Sequence, residues 1–153
     1  MVPRRDSAEF DRDVRLHVYA HFVEHQRPPT TEQTAAAFGV SSQAVRDAFQ
    51  RLAADRALVL RRNSNEVLMA MPFSAEPTRF EVTAEGRMWY AACAWDALGV
   101  PAMLHCDAFI DTSCGDCEQP LQIEVQSGSV IGSSALIHFA VPATHWWDDI
   151  EFT

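Results

Sequence analysis

Residues 83–101 read TAEGRMWYAACAWDALGVP, and how this stretch folds decides what the chain can do. Thr83 is a good helix N-cap, and Trp89, Tyr90, Cys93, Ala94 and Leu98 recur at spacings that share a helical face. Gly99 and Pro101 punctuate the far end. The pattern predicts a helix over about 85–98. On it, Cys93 and Asp96 stand three positions apart, within reach of a shared ligand. A thiolate suits soft, thiophilic metals, and a neighbouring carboxyl can take the thiol proton and later return it to a leaving group. Taken alone, C-x-x-D is a weak signal, because a helical cysteine is more often a small buried hydrophobe.

Upstream, Phe10, Val14, Leu16, Val18, Phe22 and Val23 predict an amphipathic helix that stops at Arg27-Pro28-Pro29. Thr30 or Thr31 caps a short second helix closed by Gly39, and Ser41 or Ser42 caps a third carrying Val45, Phe49, Leu52 and Ala53. The runs 58–62 and 67–73, joined by Asn63-Ser64-Asn65-Glu66, predict a hairpin. Three helices followed by a hairpin read as a winged helix-turn-helix. Pro72 to Pro77 reads as a link. Downstream, a strand at 80–83 precedes the predicted helix, and strands are expected at 108–112, 121–125, 130–131 and 135–141. The fold class expected is α+β: a winged-helix-like part over 1–75, packed on a part over 76–153 with a helix over a small, mostly antiparallel sheet.

Composition fits a folded protein, with 48% hydrophobic and 22% charged residues among 153. No apolar run approaches the roughly 20 residues of a membrane helix, and MVPRRDSAEF lacks the apolar core of a signal peptide, so a cytoplasmic location is expected. Four cysteines there should remain thiols available for metal binding or catalysis. The net charge of -9 is uneven: residues 1–71 hold ten Arg against nine acids, and residues 72–153 two Arg against twelve acids. Arg46, Arg51 and Arg56 against Asp47 and Asp55 leave the third helix only slightly basic, too little for the phosphate neutralisation a DNA-binding regulator needs, although Arg61 and Arg62 sit at the hairpin. Nucleic acid is therefore not the expected partner.

Three segments resemble, in order, the alkylmercury (organomercurial) lyase family. They are Trp89–Ala102 around Cys93 and Asp96, then Ile110-Asp111-Thr112-Ser113-Cys114 with Pro120-Leu121, and His138–Pro142 with Trp146–Ile150. A winged-helix beginning is a further family feature. The resemblance implies an enzyme of mercury resistance that detoxifies organomercurials by protonolysis. Thiolates take the mercury of R–Hg⁺, an aspartic acid protonates the carbon, and hydrocarbon and Hg(II) result. It places the attacking thiol at Cys93 and the proton shuttle at Asp96. No organic cofactor is implied, and low-molecular-weight thiols or a mercuric reductase would accept the Hg(II).

The family's second mercury-binding cysteine lies beyond the region matching Trp146–Thr153, where this sequence has none. Either the sequence is a piece of a longer chain, or the protein does without that ligand, or Cys106, Cys114 or Cys117 replaces it. Cys114 matches a family cysteine other than the second catalytic one. The run Cys114-Gly115-Asp116-Cys117, with His105 or Cys106, also admits a structural zinc site, against the commoner reading of free thiols in a turn. Trp95, Trp146 and Trp147 are candidates to line a pocket for the organic group. His138 reads as a hydrogen-bonded core histidine in a strand, His145 stays open between core and site, and Asp148, Asp149 and Glu151 read as solvated acids.

Overall fold

The computed structural model describes residues 7–151 and is α+β, with antiparallel strand pairing within each of its parts. It divides into two compact units, Met1–Glu76 and Pro77–Thr153. No helix among the described residues is long and apolar enough to cross a membrane.

The first unit begins with α1 (Ser7–His25), which buries Val14, Val18 and Phe22, one residue per turn along a single stripe. Leu16 falls off that stripe and is 60% exposed. In α2 (Thr31–Phe38) the cap is Thr30: its hydroxyl accepts from Gln33 N–H at 3.1 Å while the Gln33 side chain accepts from Thr30 N–H at 2.9 Å. Gly39, at φ +65°, closes it in the left-handed region. Ser41 caps α3 (Ser42–Ala54), which buries Val45, Ala48, Phe49 and Leu52.

Strand β1 (Val59–Leu60) pairs with β2 (Val67–Ala70), and the loop between them is tied down by Glu66. Its carboxylate accepts from Thr31 Oγ1 at 2.6 Å and from Thr31 N–H, so a buried threonine and an orphan amide at the start of α2 are satisfied together. The expected link at Pro72–Pro77 instead contains β3 (Phe73–Ser74), paired with β2. Phe73 drives this, because its ring is fully buried and stacks on Phe22 with centroids 5.4 Å apart.

In the second unit, β4 (Glu81–Ala84) turns through Glu85-Gly86 into β5 (Arg87–Ala91), with Val82 opposite Trp89. The predicted helix over 85–98 is therefore wrong in its first half. Glu85 and Gly86 have φ of +50° and +75°, as a two-residue hairpin loop demands, and Val82, Ala84, Trp89 and Ala91 alternate inward. The helix, α4 (Ala94–Leu104), starts later and runs through Pro101 where the sequence predicted a stop. A proline inside a helix costs about 3 kcal/mol. Burial of Ala97, Val100 and Pro101, on a helix that packs on β4, β5 and the next strand, offsets it.

That strand, β6 (Ala108–Ser113), pairs with β4, so that Val82 faces Ile110, and with β7 (Pro120–Gln126), which pairs with β8 (Ser129–Ile131). The order within the unit is β5-β4-β6-β7-β8. The expected strand at 135–141 does not form; residues 133–139 take no regular structure, and Leu136 is 93% exposed. A 3-10 helix, Ala143–Asp148, follows.

Candidate functional site

Cys93 is the N-cap of α4, with extended backbone at φ -150° and ψ -178°. Its sulfur occupies the place that a serine or aspartate oxygen takes in an ordinary cap. Asp96 N–H donates to Sγ at 3.5 Å, and the thiol in turn donates to Asp96 Oδ2 at 3.3 Å. The expectation that thiol and acid would be neighbours on one helical face is met by different means: one residue caps the helix and the other is its third residue. The segment before the cap is fixed by Thr78, whose hydroxyl donates to Ala91 O at 2.7 Å, and by Ala91 N–H donating to Phe80 O at 2.9 Å.

Two opposing influences act on the Cys93 thiol. Burial disfavours the thiolate, and Asp96 adds like-charge repulsion, while the amides of Asp96 and Trp95 favour the anion. Burial wins, and the thiol is pushed up to about 11. Burial also raises the Asp96 carboxyl, against a smaller lowering from its hydrogen bond to Cys93. At neutral pH the thiol is therefore held neutral, and it donates to a carboxyl group whose proton affinity burial has raised.

Against the usual thiol value of 9.0, a value near 11 leaves about 100-fold less thiolate at pH 8. A more basic thiolate is also more nucleophilic, so iodoacetamide should alkylate Cys93 about tenfold or more slower than an exposed peptide thiol, read by mass spectrometry of the labelled chain. Equal rates would mean that burial is not protecting the sulfur.

A cavity of about 230 Å³ opens beside Cys93, with Phe80, His138, Phe139, Val141 and Trp146 among its lining. Its walls are mostly apolar carbon. Phe139 stands between two tryptophans, 5.2 Å from the Trp146 ring and 6.4 Å from the Trp95 ring, and Trp146 Nε1 donates to Val141 O at 2.8 Å. This last bond ties the 3-10 helix to the end of the irregular segment, whose residues 137–141 line the cavity.

Of the three tryptophans expected at a pocket, Trp146 lines it, whereas Trp95 and Trp147 do not. Trp95 is 60% exposed. His138, expected in a core strand, is instead exposed and lines the cavity. His145 pairs with Asp148 at 2.9 Å on the surface. Phe80, Ile137, Phe139 and Val141 were not anticipated in the site. Phe139 and Val141 lie in the family-like segment His138–Pro142, but the apolar character of these residues is one that a paired strand would have shared.

Cys106, Cys114 and Cys117 do not line the Cys93 cavity. Among the described residues no three His, Cys, Asp or Glu groups come together to hold a metal ion, so the zinc reading of Cys106, Cys114 and Cys117 with His105 finds no ligand cluster. Tetrahedral zinc needs four donors, and the β6–β7 turn supplies two.

The family model described as alkylmercury lyase matches residues 73–153, just over half of the chain and all of the Cys93 site. The chain belongs to the alkylmercury lyase family. Among solved structures, the mercury-bound form of MerB2 superposes with a TM-score of 0.62 at 21% identity, over 80% of this chain and 58% of that one. The two share a fold, and this chain spans 58% of that protein's length. No curated protein sequence matches the chain significantly. Within the alkylmercury lyase match fall every cysteine of the chain and both members of the thiol–carboxylate pair.

Proposed function

We propose that this member of the alkylmercury lyase family cleaves carbon–mercury bonds by protonolysis at Cys93 and Asp96. The observation that carries the reading is the 3.3 Å contact between a thiol and a carboxylate whose proton affinity burial has raised, at the edge of an apolar cavity. When R–Hg⁺ arrives, Asp96 takes the Cys93 proton as the sulfur–mercury bond forms. The Asp96 carboxylic acid then donates that proton to the mercury-bound carbon. The carbon–mercury electron pair becomes the new C–H bond, R–H leaves, and Hg(II) stays on Cys93 Sγ until a small thiol or a reductase takes it. The apolar walls suit the organic group R, and exclusion of water strengthens the proton transfer.

Incubation with phenylmercury and excess small thiol, followed by headspace detection of benzene, tests this directly. Benzene should appear with the parent chain and vanish with Cys93→Ser. Mercury retained at Cys93 without benzene would instead support the second reading, a mercury-binding protein on a lyase fold.

In the same reading the first unit, with three helices and a hairpin, is a winged-helix-like scaffold and not a DNA reader. Arg51 is held bidentately by Asp11, both contacts at 2.7 Å, Arg46 donates to Gln43, and Arg61 pairs with Glu76. Guanidinium groups engaged in this way are poorly placed to neutralise phosphates. The proposed setting is cytoplasmic detoxification.

A further inference from the structure

Outside the thiol–carboxylate site, α1 carries His17, His21 and His25, each one helical turn from the next, and the last two meet. The His21 and His25 rings lie 4.3 Å apart between centroids and are tilted by 57°. Nδ1 of His21 stands 2.8 Å from the Arg27 carbonyl oxygen, just past the end of the helix. A carbonyl only accepts, so Nδ1 carries the hydrogen and Nε2 keeps its lone pair. A backbone carbonyl fixes the tautomer of many metal-ligating histidines in this way. His25 is exposed and His21 half-buried, so both rings can be reached from solvent. His17 stays out of the pair: its ring lies 6.2 Å from His21 and edge-on to Phe38, with Nε2 buried.

We propose that His21 and His25 form a two-imidazole site for a late divalent transition cation such as Ni(II) or Cu(II), with water completing its coordination. With a metal–nitrogen bond of about 2.1 Å, two imidazoles bound at right angles on one cation bring their ring centres to about 4.6 Å, and a tetrahedral angle spreads them to about 5.3 Å. The 4.3 Å between these rings fits the right-angled arrangement. That is the geometry of octahedral or square-planar Ni(II) and Cu(II), and it disfavours tetrahedral zinc. Imidazole suits both ions, and Cu(II) should bind more tightly than Ni(II). Two further features favour positive charge at this place. Glu24 Oε2 lies 3.8 Å from His25 Nε2, and His25 stands in the last turn of α1, at the negative end of the helix dipole. A cation held by side chains on successive turns also clamps that last turn in its helical form.

The test uses the full chain free of any polyhistidine tag, which would bind the same ions. Ni(II) chloride, which does not oxidise thiols, is titrated calorimetrically near neutral pH into the parent chain and into His21→Gln, His25→Gln and His145→Gln. The parent should bind Ni(II), and His21→Gln and His25→Gln should each lose at least about tenfold in affinity, because the second imidazole is held at high effective concentration. His145→Gln, which alters a surface histidine of the second unit, should match the parent. Retention on immobilised Ni(II) gives a second readout, with the parent needing more imidazole for elution than His25→Gln. Replacing the exposed His25 does not endanger the fold, and circular dichroism checks that His21→Gln keeps its helices. No uptake of Ni(II) by the parent, undiminished affinity after His25→Gln, or an equal loss after His145→Gln would each overturn the assignment.

Discussion

Asp96→Asn should lower benzene release from phenylmercury by about 10²–10⁴-fold, the usual contribution of a positioned general acid–base group. Asparagine keeps the shape of the side chain, and its backbone N–H can still donate to Cys93 Sγ as Asp96 does at 3.5 Å. What is lost is the carboxylate proposed to take the thiol proton and then, as the acid, to deliver it to carbon. The thiol should lose part of its elevation as well, since repulsion from Asp96 contributes to it, although burial, the larger cause, remains. Mercury should therefore still reach Cys93, and single-turnover measurements should separate near-normal uptake from failed hydrocarbon release. The pH dependence has a definite sign. Because burial raises the Asp96 carboxyl, the carboxylate proposed to accept the thiol proton disappears, as pH falls, at a higher pH than for an ordinary aspartate. Release by the parent chain should decline on that acidic side, and the decline should be missing from the residual rate of Asp96→Asn. Near-parental release by the variant would sink the assignment of Asp96 as proton shuttle.

A second large effect is expected in the first unit. Phe22→Ala should destabilise the first unit by about 3–5 kcal/mol, the range for removing a fully buried aromatic ring. Phe22 is wholly buried and lies nearly parallel to Phe73, at 15°, so its loss leaves a void bounded by α1 and β3 and strips Phe73 of its stacking partner. Urea unfolding followed by circular dichroism would show the shift in midpoint. Leu16→Ala, on the same helix but 60% exposed, should stay within about 0.5 kcal/mol and serves as the control. A shift below about 1 kcal/mol for Phe22→Ala would mean that the core does not depend on this stack.

The three amino-terminal helices were legible because their signals are local. Thr30, Ser41 and Gly39 occupy cap positions, and the apolar residues between them follow a 3.6-residue period. The stretch 83–101 misled for an equally physical reason. Met88, Trp89 and Tyr90 fit either a helix or a strand over so short a run, and the deciding feature, two successive residues with positive φ at Glu85-Gly86, is weakly encoded when the first of them is a glutamate. Pro101 misled in the other direction, because the burial that outweighs its cost belongs to the sheet beneath α4. The strand expected at 135–141 is a mostly apolar run that pairs with no strand among the described residues.

By itself the sequence determined the α+β composition, the helix caps of the first unit and the closeness of Cys93 to Asp96, all of which depend on neighbours within about four residues along the chain. Tertiary structure alone decided that Cys93 caps α4 with its sulfur, and that Phe80, Phe139 and Trp146, up to 66 positions apart, enclose one cavity beside it. It also kept Cys114 and Cys117 away from that cavity. Burial sets the protonation of the thiol–carboxylate pair, and burial is a property of the packed fold, which no spacing along the chain encodes.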